Sequence, residues 1–166
     1  GTKWIAHTPW AGDFGDAAFA DPAPGFPFQT ANRMLRIEAR KGIDGKWQSG
    51  LIASRDKDGP DGRGFAQKYG YFEIEAKLPQ GTGVWPAFWL VGITKQPRAE
   101  IDVFEFYGNA PRAYHANVRV WSEDDRKFGD GKIVELPPDA ATDHFNRYGV
   151  RIDKDWVTFF FNRKEV

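Results

Sequence analysis

Three acids stand close together in the segment Ala99-Glu100-Ile101-Asp102-Val103-Phe104-Glu105-Phe106, each flanked by apolar residues. Side chains alternate faces along a regular strand, so Glu100 and Asp102 share one face. Glu105 lies an odd step away and would fall on the other. One inserted residue, a β-bulge around Val103 and Phe104, returns Glu105 to the face of Glu100 and Asp102. Ile101, one of Val103 and Phe104, and Phe106 can then pack inward. Three carboxyl groups on one face repel each other, and partial burial disfavours their charged forms. A pure packing role would not select them. They suit a double displacement that needs one ionised carboxylate to attack and one protonated carboxyl to donate, about 5–5.5 Å apart, as in retaining glycoside hydrolysis. Like-charge proximity raises the proton affinity of one group, which keeps the acid protonated near neutral pH. The middle Asp102 is placed to hydrogen-bond the attacking carboxylate. A solvated acidic strand face, or a calcium site built from the same oxygens, is the competing reading.

The elements that must hold these acids read as strands. Period-two alternation runs through residues 35–40, with Leu35, Ile37 and Ala39 on one side, and through 71–78, with Phe72, Ile74, Ala76 and Leu78 on one side. Further strand-like runs are residues 85–91, 100–107, 114–121, 148–152 and 156–161. Gly42-Ile43-Asp44-Gly45, Asp58-Gly59-Pro60-Asp61-Gly62, Pro79-Gln80-Gly81-Thr82-Gly83 and Pro137-Pro138 supply turn chemistry between them. No stretch holds a helical period beyond about one turn. The pattern predicts an all-β sandwich or barrel. The length of 166 residues fits one domain over 1–166. The first thirty residues, with Pro9, Pro22, Pro24 and Pro27, read as extended, irregular chain.

At the other end, the apolar run 156–161 is followed by Asn162-Arg163-Lys164, which reads as a hairpin turn, and by Glu165-Val166 as the start of a partner strand. A strand that apolar needs neighbours. The expectation is that the domain is C-terminally incomplete, with a further segment or a second chain supplying the remaining strands.

Composition narrows the function classes. Lys plus Arg and Asp plus Glu are each 23, so the formal charge is zero, and no basic block exists. This argues against a nucleic-acid or membrane-surface partner. Zero cysteines exclude a disulfide scaffold, a thiolate zinc site and a cysteine nucleophile. No run of about 18 apolar residues is present, so no transmembrane helix is expected. Aromatic content is high, with 7 Trp, 14 Phe and 5 Tyr. Such residues favour a β core, and Trp also makes flat platforms for sugar rings.

The flanks of the acid segment carry a family resemblance. Glu100-Ile101-Asp102-Val103-Phe104-Glu105 resembles the E-[ILV]-D-x-x-E signature of glycoside hydrolase family 16, in its bulged form. Tyr69-Gly70-Tyr71-Phe72-Glu73 and Gly83-Val84-Trp85-Pro86-Ala87-Phe88-Trp89-Leu90 look like that family's upstream blocks, and Tyr148-Gly149-Val150 and residues 157–166 like its later strands. The resemblance covers roughly residues 30–166. It implies a concanavalin-like β-jelly-roll sandwich of two antiparallel sheets, with a substrate cleft on the concave sheet. It implies a secreted, extracellular or periplasmic retaining endo-β-glycanase acting on a β-1,3- or mixed-linkage β-glucan or a bacterial exopolysaccharide. Glu100 would be the nucleophile, Glu105 the general acid and then base, and Asp102 the supporting acid. No cofactor is required, although family members often carry a structural calcium away from the cleft. A non-catalytic glycan-binding module on the same fold and a transglycosylase are the alternatives. Two positions depart from the family pattern: Tyr71 stands where Arg is frequent, and Arg119 where a second His often follows a first, here His115.

Substrate-binding candidates follow from these placements. Trp85 and Trp89 are four apart, hence on one strand face, with the small Ala87 between them leaving room for sugar rings. The competing reading is a tryptophan pair in the core. His115 and Arg119 lie on the strand after the acids. Arg55 follows residues 51–54 and could hydrogen-bond sugar hydroxyls or serve a surface loop. Trp121 could extend the platform or cap the core. Glu123-Asp124-Asp125 and the acids of 139–143 could bind calcium, but such runs are usually solvated loops.

Overall fold

Short β-favouring runs broken by Gly and Pro produce a chain of strands. The computed structural model describes residues 4–8, 12–55, 64–93, 97–122, 124 and 126–166. The chain divides into two compact units, Gly1–Ala66 and Gln67–Val166.

The first unit holds β1 (Ala17–Phe19), β2 (Phe28–Ala31), β3 (Met34–Ile37), β4 (Arg40–Lys41) and β5 (Trp47–Ser49). β2 and β3 form a hairpin across Asn32 and Arg33, both at positive φ, the backbone that a tight two-residue turn demands. β5 pairs with β4 antiparallel and with β1 in parallel. The stretch read as irregular therefore contains β1 and the start of β2. Each is too short to show a period.

The second unit holds two four-stranded antiparallel sheets. One runs β10 (Lys127–Glu135), β9 (Ala113–Trp121), β8 (Arg98–Glu105), β7 (Ala87–Val91). The other runs β13 (Lys164–Glu165), β12 (Val157–Phe161), β11 (Asn146–Ile152), β6 (Gly70–Ala76). One short helix, α1 (Ala140–Asp143), leads into β11. The turn before β13 falls at Asn162 and Arg163, both at positive φ, where the sequence places it.

The two sheets pack face to face through the apolar side of each alternation, and the fold class is the expected all-β sandwich. Val103, Phe104 and Phe106, which leads off the end of β8, and Tyr114 and Ala116 from β9 meet Tyr148 and Val150 from β11 in one buried cluster. Phe104 and Tyr114 contact the Tyr148 ring at centroid distances of 4.6 and 5.4 Å. The outward face of the second sheet is polar. There Arg163 grips Glu73 through Nε at 3.2 Å and Nη2 at 3.0 Å, and the Tyr71 hydroxyl donates to Glu73 at 2.8 Å. Gly149 makes room for Tyr71, because a Cβ there would lie 2.3 Å from the phenol oxygen.

Among the described residues the Tyr148 hydroxyl, buried in the core, has no hydrogen-bond partner. An unsatisfied buried hydroxyl costs about 1–3 kcal/mol. Tyr148→Phe deletes it and keeps the ring. Urea unfolding should show a variant at least as stable as the parent, with a gain of about 1 kcal/mol; a clear loss would mean that the hydroxyl does bond inside the core.

Candidate active site

β8 carries the acid segment through the middle of its sheet, and the register on both sides contains the bulge. Against β9, Asp102 pairs with Asn117 and Glu105 with His115, so three steps on β8 meet two on β9. Against β7, Asp102 pairs with Trp89 and Phe104 with Phe88, so two steps meet one. Val103 is the extra residue. Val103 and Phe104 both turn into the core, at 1% and 2% exposure, where the alternation called for only one of them. Glu105 thereby returns to the face of Glu100 and Asp102.

β9 supplies that face with His115, Asn117 and Arg119 at alternate positions. Arg119 stands directly across from Glu100. Its Nη1 lies 3.0 Å from Glu100 Oε1 and 3.1 Å from Asp102 Oδ2, and its Nη2 lies 2.9 Å from Glu105 Oε2. One guanidinium thus serves all three carboxylates. It occupies the place that a bound cation would take, which weighs against the calcium reading of these oxygens. Asn117 adds a second donor, from Nδ2 to Glu105 Oε2 at 2.8 Å and to Asp102 Oδ2 at 3.4 Å. Asp102 reaches Glu100 through Arg119 Nη1.

The carboxyl that the crowding raises is the middle one. Burial first, then the charges of Glu105 and Glu100, push Asp102 from 3.8 up to about 6. Arg119 and Asn117 pull the other way and do not cancel this. At mildly acidic pH the cluster therefore holds a proton on Asp102.

The aromatic flank differs in part from the expected tryptophan pair. Trp89 is in register with Asp102 and so shares its face. Trp85 precedes β7, separated from it by Pro86, which has no N–H to give to a strand ladder. Trp85 instead stacks on Tyr107 at 5.9 Å and 17° between planes, and Tyr107 meets the His115 ring edge-on at 5.4 Å. Both Trp85 and Tyr107 are exposed. They form a platform beside Glu105, of which the sequence indicated only Trp85 and His115. Trp121 lies on the site face in register with Arg98, whose guanidinium covers its ring at 4.2 Å. Arg55 belongs to the first unit, where its backbone bridges to Gly64.

On the other side of β9, the edge strand β10 places Gly129 opposite Arg119 and Gly131 opposite Asn117. A shallow depression opens there, lined by Asn117, Val118, Arg119, Gly129, Asp130 and Gly131. Among the described residues no group of three or more His, Cys, Asp or Glu is placed to hold a metal ion. Of the acid runs, Glu123 and Asp125 lie outside the described residues. Asp124 is held by Arg126 Nε at 2.6 Å and by the Ser122 hydroxyl, and Asp139 stands at the N-terminal boundary of α1 without a side-chain hydrogen bond to it.

The model of the family described as "Glycosyl hydrolases family 16" matches residues 29–166. The chain belongs to this family. Among curated relatives, endo-1,3-1,4-beta-glycanase EglC of Rhizobium meliloti (strain 1021) is 33% identical over 146 residues, 82% of this chain and 29% of that protein. Glucan endo-1,3-beta-glucosidase A1 of Niallia circulans is 30% identical over 127 residues, 72% of this chain and 17% of that protein. The chain thus spans less than a third of either relative. Among solved structures, the catalytic domain of the endo-1,3-beta-glucanase (laminarinase) of Thermotoga petrophila RKU-1 superposes with a TM-score of 0.70 at 26% identity, covering 85% of this chain and 58% of that one. The laminarinase of Rhodothermus marinus shares the fold, with a TM-score of 0.75 at 22% identity, 98% of this chain and 66% of that one. The two departures from the family 16 pattern have unequal weight. Tyr71 lies on the outward face of the opposite sheet, away from the acids, whereas Arg119 is the centre of the acid cluster.

The raised Asp102 carboxyl makes stability depend on pH. The native state binds this proton more tightly than the unfolded chain, so between about pH 4 and 6 it holds more protons and stability falls as pH rises. Above about 6 the full cost of the ionised, buried carboxylate is present. Asp102→Asn removes the titration. Its thermal midpoint should lose less between about pH 4 and 7 than that of the parent protein; an unchanged slope would place the raised group elsewhere.

Proposed function

We propose that the chain carries the catalytic face of a retaining endo-β-glycanase. The observation that supports this best is Arg119 holding Glu100 through one nitrogen and Glu105 through the other. The two carboxyl groups thus lie on one bulged strand within the span of a single guanidinium. The retaining mechanism needs the two carboxyl groups about 5–5.5 Å apart, a separation that one shared guanidinium permits.

In this reading Glu100 attacks the anomeric carbon while Glu105 gives its proton to the departing glycosidic oxygen. A glycosyl ester forms on Glu100. Glu105, now ionised, takes a proton from a water, and that water attacks the same carbon and restores both groups. Asp102 and Arg119 hold the charge of the pair. Trp85 and Tyr107 offer a stacking surface for a sugar ring, and Trp89 and His115 border the acids. The chemistry needs two carboxyl groups and water, and no cofactor.

The named activities of the relatives, endo-1,3-1,4-beta-glycanase and glucan endo-1,3-beta-glucosidase, favour a β-1,3- or mixed-linkage β-glucan as substrate. A polymer of that size does not cross a membrane, so the reading also sets the protein outside the cytoplasm, extracellular or periplasmic.

The test is product release from laminarin, lichenan, succinoglycan and agarose. The parent chain should release oligosaccharides from a β-glucan. Glu100→Gln should abolish turnover, and Glu105→Gln should lower it by about 10²–10⁴-fold, the range of a general acid–base contribution. A well-folded parent that binds these polymers and cleaves none would instead be a glycan-binding module.

A further inference from the structure

The contacts around Glu105 are asymmetric. Its Oε2 accepts from Asn117 Nδ2 at 2.8 Å and from Arg119 Nη2 at 2.9 Å. A carboxylate oxygen has two lone-pair directions in its plane, and two N–H donors fill both. A proton on Oε2 would then point at an N–H. We infer that Asn117 is a positioning residue that, with Arg119, confines the catalytic proton of Glu105 to Oε1, and that Gly131 is present to make room for Asn117. The inference rests on the acid–base role proposed for Glu105.

The Asn117 amide has one electrostatically sensible orientation. Its Nδ2 faces two carboxylates, Asp102 and Glu105. A flipped amide would aim its oxygen at both. In the observed orientation Oδ1 points away from the acids, into the space above Gly131. A Cβ on Gly131 would lie 2.3 Å from this oxygen, closer than any real contact. The backbone does not ask for glycine here. Gly131 sits within β10, paired with Asn117, and is not among the positive-φ glycines. Glycine inside a strand weakens it and often marks a close approach. The close approach here is the Asn117 side chain. Gly131→Ala deletes no polar group and displaces the Asn117 amide.

The donor on Oε2 matters when the leaving group needs a proton. It matters little when the leaving group departs unaided. The experiment therefore compares kcat/KM, which reports the first, ester-forming step, on a soluble β-glucan and on the 2,4-dinitrophenyl glycoside of a β-glucan disaccharide. Asn117→Ala should lose about 10- to 100-fold on the polymer and less than about 3-fold on the activated glycoside. Gly131→Ala should show the same pattern, and adding it to Asn117→Ala should cost less than about 3-fold more, because the severe clash partner is gone and only the Ala116 carbonyl, at 3.2 Å, stays close. Equal losses on both substrates would reduce Asn117 to a general structural role and overturn the inference. Additive losses would overturn the part assigned to Gly131. A folded parent inert on both substrates would instead defeat the proposed function, and the inference with it. Activity of the parent on either one keeps the two questions separate.

Discussion

Three carboxyl groups can share one face of a half-buried strand because a guanidinium stands among them. At an effective dielectric of about 20, two like charges 4 Å apart repel by about 4 kcal/mol. Arg119 converts part of that repulsion into attraction at three points, with contacts of 3.0, 3.1 and 2.9 Å. The arrangement depends on the bulge. Without Val103 as the extra residue, Glu105 would face the core and Nη2 of Arg119 would have no partner there. It depends equally on the pairing of β8 with β9, which puts Arg119 opposite Glu100 and Asn117 opposite Asp102. Bulge, register and ion pairs therefore stand or fall together.

The same arrangement accounts for how charge could move during the proposed reaction. When Glu100 forms its ester it loses a negative charge, and Glu105, having given up its proton, gains one. Both are held by one guanidinium, so the charge passes between two partners of a single fixed cation. Solvent need not reorganise around it. A preorganised charge of this kind is worth more than a mobile one, since its cost was met on folding. Asp102, raised to about 6 by burial and by its neighbours, adds a nearby protonation site that buffers the cluster.

Much of this was legible in the sequence. The odd step from Glu100 to Glu105 called for a bulge, and one is present. The buried alternations gave β6, β9 and β11 nearly to the residue. β10 carried no such signal. It is an edge strand, and the positions facing the site are Gly129 and Gly131, where clearance rather than burial sets the residue. Arg119 was singled out because it replaces a family residue, but its grip on all three acids is a property of register, which a single strand's sequence does not contain. Asn117 carries no signal for the same reason. Spacing alone puts Trp85 on one strand with Trp89, and Pro86 is the residue that argues against it.

The second unit also contains an acid cluster of a different kind, and the contrast separates chemistry from scaffolding. On the outward face of the other sheet, Glu73 is gripped by Arg163 and bonded by Tyr71. There the Arg163 hydrogen bond dominates, burial is secondary, and the Glu73 carboxyl is held below its ordinary value. That is the signature of a surface ion pair, an exposed Arg163 closing over a half-buried Glu73, the kind that contributes little to stability. At Asp102 the order reverses. Burial dominates, like charges reinforce it, and a guanidinium at 3.1 Å does not bring the carboxyl back down. The partners differ as well: Glu73 faces Arg163 and Arg147, whereas Asp102 shares one guanidinium with two other carboxyl groups. Lost water and added like charge together leave Asp102 a proton within reach of neutral pH.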